Sequence, residues 1–252
     1  MQLSEKQELW IKQLEDLWNF LDARLDNYSL KTNDLRLGLL LHMMVGVHRL
    51  IRGFLAQLKG GSNDFLESRL RTLVEATINI NYILADETGK RARAFILDAT
   101  RSRLTAVKRI LRLLEQKNAP SMAEVNTIES YRALKLSLEQ ELSERQRLLG
   151  REHATWPNLE RRAQLGNSEE MYATVFWLFS QDTHMTAEGL NRYLSNIEGG
   201  IAMTTELDLS MLDQEIQTAF VSYLGFIGTC SQRFGFPSEE ELKEFNSSEM
   251  LP

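Results

Sequence analysis

Cysteine is almost absent from this sequence: Cys230 stands alone among 252 residues. One cysteine cannot form a disulfide within the chain and cannot build a cysteine-rich zinc site. Proline is nearly as scarce, at four residues, and glycine is modest at fourteen. With Leu, Glu, Arg and Gln abundant, that shortage of chain breakers favours helices over sheets. No run of about 18 uncharged apolar residues occurs. The best stretch, Leu37 to Val47, is short and contains His42. The start, Met-Gln-Leu-Ser-Glu-Lys-Gln-Glu, has no apolar core behind a basic lead, so it does not read as a signal peptide. These absences predict a cytoplasmic protein that does not enter a membrane. The net charge of −6 gives no global attraction to nucleic acid or anionic lipid. The phosphate-cradling glycine loops, the His-Glu-x-x-His zinc helix and the Gly-x-Ser-x-Gly elbow are also missing, and no metal or cofactor is expected.

What is present is helical periodicity along nearly the whole chain. Ser4 with Gln7 makes a capping box, followed by Trp10, Leu14, Leu17, Trp18, Leu21, Leu25 and Tyr28 at helical spacing. Thr32-Asn33-Asp34 opens a second helix to about Leu58 that is apolar around most of its circumference, which predicts a central place in the bundle. Its two histidines, His42 and His48, point to different faces, one to a packing interface and one to the surface. Ser62-Asn63-Asp64 starts a third helix to about Leu84, Gly89 a fourth to about Lys117, and Ser121 with Glu124 a fifth to Leu149. Trp156-Pro157 predicts a short helix with Pro at its first position, closed by Gly166. Ser168 caps a helix running to His184, and a further short helix extends to about Ser195. A loop with a short extended piece follows, then a long helix capped by Ser210 and an acidic tail piece over 238–252.

The fold class is therefore all-α: a single domain over 1–252, a bundle of about seven to eight helices. Helices four and five form a long antiparallel hairpin over 88–150, read as protruding. Between Lys90 and Lys117 nine Lys and Arg stand against Asp98 and Glu115, a local charge of +7. RNA could lie along such a helix, but no aromatics are interleaved to stack bases, and the Glu-bearing fifth helix opposite suits a solvated, partly neutralised face. A protein partner or a homo-oligomer is the other reading.

Two polar constellations stand out. Arg71, Glu75, Asn79 and Tyr82 fall within roughly a quarter of the helical wheel, beside the apolar face of the third helix. Tyr172, Phe176, Ser180 and His184 follow at i, i+4 spacing, taking an aromatic core run into a polar helix end. His184 there suits a general acid/base, and equally suits a terminal histidine bonded to the last carbonyls. The Arg71 stripe suits a site, and equally a buried structural network whose partners would be Ser180 and His184. Asp182 points away from His184 on a continuous helix, which disfavours a metal centre with Glu75.

These residues resemble an uncharacterised, mostly bacterial, all-helical family of unknown function. Its Arg-x-x-x-Glu helix continuing into Asn and Tyr is matched by Arg71, Glu75, Asn79 and Tyr82. Its Tyr…Ser-x-x-x-His helix end is matched by Tyr172, Ser180 and His184. Trp156-Pro157 and Arg162-Ala163 also fit its pattern. That family is in turn similar to HEPN proteins, which include metal-independent ribonucleases of toxin and antiphage systems. The resemblance implies either an interaction or sensor module in a defence setting, or a ribonuclease. In the ribonuclease His184 would be the acid/base, Arg71 the anion stabiliser and Glu75 the orienting group. No Arg lies between Phe176 and Thr183, so the closely spaced Arg and His of those enzymes is missing.

Overall fold

The computed structural model describes residues 3–62, 66–116, 121–150, 155–177, 179–180, 194–197, 200–203 and 211–246. It is an all-α bundle with one small ribbon, and its chain divides into two compact units. One is a body of Met1–Ala85 and Asn158–Pro252, the other a hairpin unit of Asp86–Pro157.

In the body, α1 (Glu5–Leu25) starts at the Ser4–Gln7 capping box, and α2 (Leu35–Lys59) starts where the Asp34 side chain accepts from Arg36 N–H. Next come α3 (Leu66–Leu84), α6 (Leu159–Leu165), α7 (Glu169–Met171) and a π-helical turn at Tyr172–Phe176. The unit closes with α8 (Leu212–Phe234) and α9 (Glu239–Asn246). The helix that packs against α1, α2, α3 and α9 is α8, not α2. The central place expected of α2 is thus corrected. It buries Leu40, Met44, Val47, Ile51, Phe54 and Leu58 along one side, while Leu37, Leu39, Leu41 and Met43 are half-buried and Val45 is exposed. α2 is also the one described helix whose length and hydropathy would suffice to span a membrane, with 39% of that window buried within the protein.

Three local starts differ from expectation. The cap of α6 is Asn158, accepting from Arg161 N–H at 2.9 Å, so Pro157 precedes the cap rather than entering the helix. Ser168 stands at the start of α7 without capping it. Its hydroxyl donates to Gly166 O at 3.3 Å and accepts from Asn81 Nδ2 at 3.0 Å, tying the turn to α3 instead. The last long helix begins at Leu212 after Met211, and Ser210 lies outside the described residues. The short helix expected to reach Ser195 is also revised. Leu194–Ile197 is strand β1, paired antiparallel with β2 (Gly200–Met203), Leu194 facing Met203. Ser195 and Asn196 are weak helix formers, and the pairing satisfies their backbone groups.

The hairpin unit contains α4 (Lys90–Glu115) and α5 (Met122–Leu149). Gly89, with φ of 71°, lets the chain turn into α4, and Gly150, with φ of 80°, ends α5. Ion pairs fix an antiparallel register: Arg103 to Glu141 at 3.8 Å, Lys108 to Glu139 at 3.0 Å, Glu115 to Arg132 at 2.7 Å. The partial neutralisation expected of the acidic helix is observed. The shared core is small, made of Leu104, Val107, Leu111, Ile128 and Leu138.

Candidate functional site

α3 presents its polar stripe to α6 and to the π-helical turn. The apolar part of this seam is Val74, Ile78 and Ala163, flanked by Leu159, Met171, Tyr172, Val175 and Phe176. α3 therefore packs against both α6 and the π-helical turn. What brings them so close is small residues. Leu159, Arg162, Ala163 and Gly166 line one face of α6 and its end at i, i+3, i+4, i+7 spacing. A Cβ on Gly166 would lie 2.7 Å from Tyr82 N and 3.0 Å from Tyr82 Cα.

Arg162 is the hub of this seam. It is buried, its Nη1 donates to Asn79 Oδ1, and its Nη2 lies 3.9 Å from Glu75 Oε1. A buried guanidinium is costly unless paired and hydrogen-bonded; Asn79 accepts from Nη1 and Glu75 pairs with Nη2, while Nε is buried with no hydrogen bond of its own. Glu75 keeps 42% of its side chain exposed, so its attraction is screened and the Asn79 bond carries more. Arg71 sits with its guanidinium carbon 5.0 Å above the Phe176 ring, and Tyr172 stacks on Phe176 at 5.3 Å. Tyr82 is buried beneath Gly166. Ser180 turns back, donating to Phe176 O at 2.6 Å. His184 lies outside the described residues, as do Asp182 and His153.

Of the predicted residues, then, Arg71, Glu75, Asn79, Tyr82 and Tyr172 belong to one seam, and Arg162 is the member that the spacing arguments passed over. Two expectations need correcting. The partner of the stripe is Arg162 rather than Ser180, whose hydroxyl is taken by its own helix. The aromatic run is not plain core either: a π-helical turn rotates it, so Phe179 is buried while Trp177 is 54% exposed.

A second polar cluster joins α1, α2 and α8. His48, buried, lies 2.9 Å from Asp22 Oδ1 through Nε2 and 2.6 Å from the Tyr223 hydroxyl through Nδ1. A carboxylate only accepts, so Nε2 carries the hydrogen and Nδ1 accepts the Tyr223 proton. Trp18 stacks on the ring at 4.8 Å and donates its Nε1–H to His48 O at 3.1 Å. Burial lowers the His48 pKa below its usual value, against the pull of Asp22, and burial raises that of Tyr223 well above the ordinary phenol. His42 is exposed, which matches the division expected of the two histidines. Among the described residues no group of three His, Cys, Asp or Glu gathers to hold a metal ion.

With this geometry in place, comparison with known proteins adds one finding. The model of a family of unknown function, DUF5677, matches residues 37–201. The chain belongs to this family. No curated protein and no solved structure matches it. The matched span of DUF5677 takes in α3, α6, the π-helical turn and the whole hairpin, and so includes every residue of the Arg162 seam.

Proposed function

We propose that this DUF5677 protein is a non-catalytic interaction or sensor module, working in the cytoplasm without membrane contact, whose hairpin engages a protein partner. One observation carries the reading. α5 is 28 residues long yet buries only Ile128 and Leu138, and Met122, Leu134, Leu136 and Leu148 stand exposed on it. A long helix that buries so little of itself and exposes large apolar side chains along its length is available to a partner surface. Beside Leu136 runs a groove of about 560 Å³ that Lys108, Arg112, Arg132 and Lys135 also line. The Arg162 seam supports the same reading, because a buried guanidinium committed to Asn79 is a lock rather than a reagent. A toxin or antiphage defence setting, and a bacterial source, rest on the family resemblance alone.

A photo-reactive amino acid placed at Leu136 or Leu148 tests the reading in the producing cell, with exposed Val221 of the body as control. Discrete protein adducts from the hairpin positions, absent from Val221, are expected. Adducts that vanish on nuclease treatment would instead assign the basic face of α4 to RNA.

A ribonuclease is the second reading, and one contact favours it. Arg71 stacks over Phe176, whose carbonyl accepts from Ser180, so a cation accompanies part of the residue set that this reading uses. Purified protein would then cleave RNA without metal, and His184→Ala would abolish the cleavage.

A further inference from the structure

The hairpin unit carries one local mismatch of charge. Its antiparallel register sets Lys108 against Glu139 and Glu115 against Arg132, each an ion pair across the two helices. Midway between those pairs the same register sets Arg112 opposite Lys135, cation against cation. Arg112 is exposed and Lys135 half-buried, and neither has an ion pair among the described residues. Glu115 and Glu139, each within about one helical turn, are already taken by Arg132 and Lys108. Like charges set face to face repel by about as much as opposite charges there attract. Arg112 and Lys135 both line the open groove of about 560 Å³ on this face. The exposed apolar side chain in that lining is Leu136, since Leu111 belongs to the core of the hairpin.

We infer that this groove binds an acidic amphipathic helix of a protein partner, whose Glu or Asp side chain bridges Arg112 and Lys135 while an apolar neighbour rests on Leu136. The inference rests on the proposal that the hairpin engages a protein, and it adds the chemistry of that protein. Two antiparallel helices with a small shared core leave a groove along their length into which a third helix packs. A carboxylate between a guanidinium and an ammonium accepts charge-assisted hydrogen bonds from both. It also removes the repulsion that the free hairpin carries at this point. Charged contacts beside an apolar anchor set orientation and affinity when a helix lies in a groove. A second copy's hairpin is the poorer occupant, because it too is net positive. RNA is poorer as well, because Leu136 offers an aliphatic side chain where base stacking calls for an aromatic face.

Anisotropy of a labelled synthetic helix of repeated Glu-Leu-Ala-Glu-Leu-Leu-Ala units, titrated with the full chain, tests this site. Saturable binding is expected, and the same peptide with Gln in place of Glu should bind at least about tenfold more weakly. Arg112→Gln/Lys135→Gln should weaken the acidic peptide by a similar factor, whereas Arg147→Gln, outside the groove, should leave it unchanged. Lys135→Glu is the most telling variant. It gives Arg112 a partner within the hairpin, so the protein should melt no lower than the parent while peptide binding is lost. No saturable binding, equal affinity for the Glu and Gln peptides, unchanged affinity in Lys135→Glu, or an equal loss in Arg147→Gln would each overturn the assignment. So would an oligonucleotide RNA that binds more tightly than the peptide and is lost in Lys135→Glu, which would make the occupant RNA. A parent dimer in sedimentation that Lys135→Glu turns to monomer would instead make it a second copy. Protein adducts at Leu136 that persist in Lys135→Glu would refute the acidic helix alone and leave the hairpin a protein-binding surface.

Discussion

The body and the hairpin unit solve the same problem with opposite means. In the body, α8 packs against three long helices, and polar side chains are drawn inside and bonded between elements: His48 between Asp22 and Tyr223, Arg162 on Asn79. In the hairpin unit, two long helices share a core of five buried residues and are otherwise held by surface ion pairs and a capping box. Charge divides along the same line. Residues 86–157 carry fourteen Lys and Arg against ten Asp and Glu, or +4, so the remaining residues carry −10 of the total of −6. The lesson is that a net charge of −6 hides a cationic hairpin and a more acidic body.

The sharpest way to break this comparison is to strike the small core. Leu138→Ala should cost roughly 2–5 kcal/mol and unfold the hairpin on its own. Hydrogen exchange would show α4 and α5 amides losing protection while α1 and α8 keep theirs. Equal loss in both units would make them one cooperative body. Next in size, Gly166→Ala pushes a methyl into the Tyr82 backbone and should destabilise the body by about 1–3 kcal/mol in urea unfolding, because backbone cannot swing away as a side chain can.

The His48 cluster sharpens the comparison through pH. Its folded pKa lies below the ordinary value near 6.5, so between the two values the unfolded chain binds a proton that the folded one refuses. Stability therefore falls as pH drops below about 6.5. The lowered carboxyls of Asp34, Asp86 and Glu241 act only at more acidic pH, where protonation removes their contribution. His48→Gln should flatten the slope between about pH 7 and 5, whatever it does to absolute stability. The smallest effect belongs to the hairpin surface. Lys108→Ala removes a half-exposed pair with Glu139 and should change stability by less than about 1 kcal/mol.

Local signals in the sequence translated well into structure. Ser4 with Gln7, Asp34, Gly89, Ser121 with Glu124 and Gly150 all stand where helices begin or end, because caps are settled by a few neighbouring residues. The burial of His48 was readable from its place among Met44, Val47, Ile51 and Leu55 on one helical face. Its partners were not, since Asp22 and Tyr223 lie 26 and 175 positions away. Arg162 did leave a trace. It sits on a face otherwise made of Leu, Ala and Gly, and small residues on a helical stripe announce close approach and therefore burial. The π-helical turn left none, because Tyr-Ala-Thr-Val-Phe has the periodicity of an ordinary helix. The central role of α8 escaped for a related reason. Apolar breadth made α2 look innermost, whereas position in a bundle is set by how many neighbours a helix meets.

The claim at the centre is that the polar stripe of α3 is a lock closed by Arg162 and not a row of reagents. A double-mutant cycle with Asn79→Ala and Arg162→Met, followed by urea unfolding of the full chain, measures that lock directly. A coupling energy of about 1.5–3 kcal/mol, the range for a buried hydrogen bond to a charged group, is the predicted result. A coupling near zero, with Arg162→Met as stable as the parent, would contradict it and return Glu75, Asn79 and Arg162 to the list of groups free to act on a substrate.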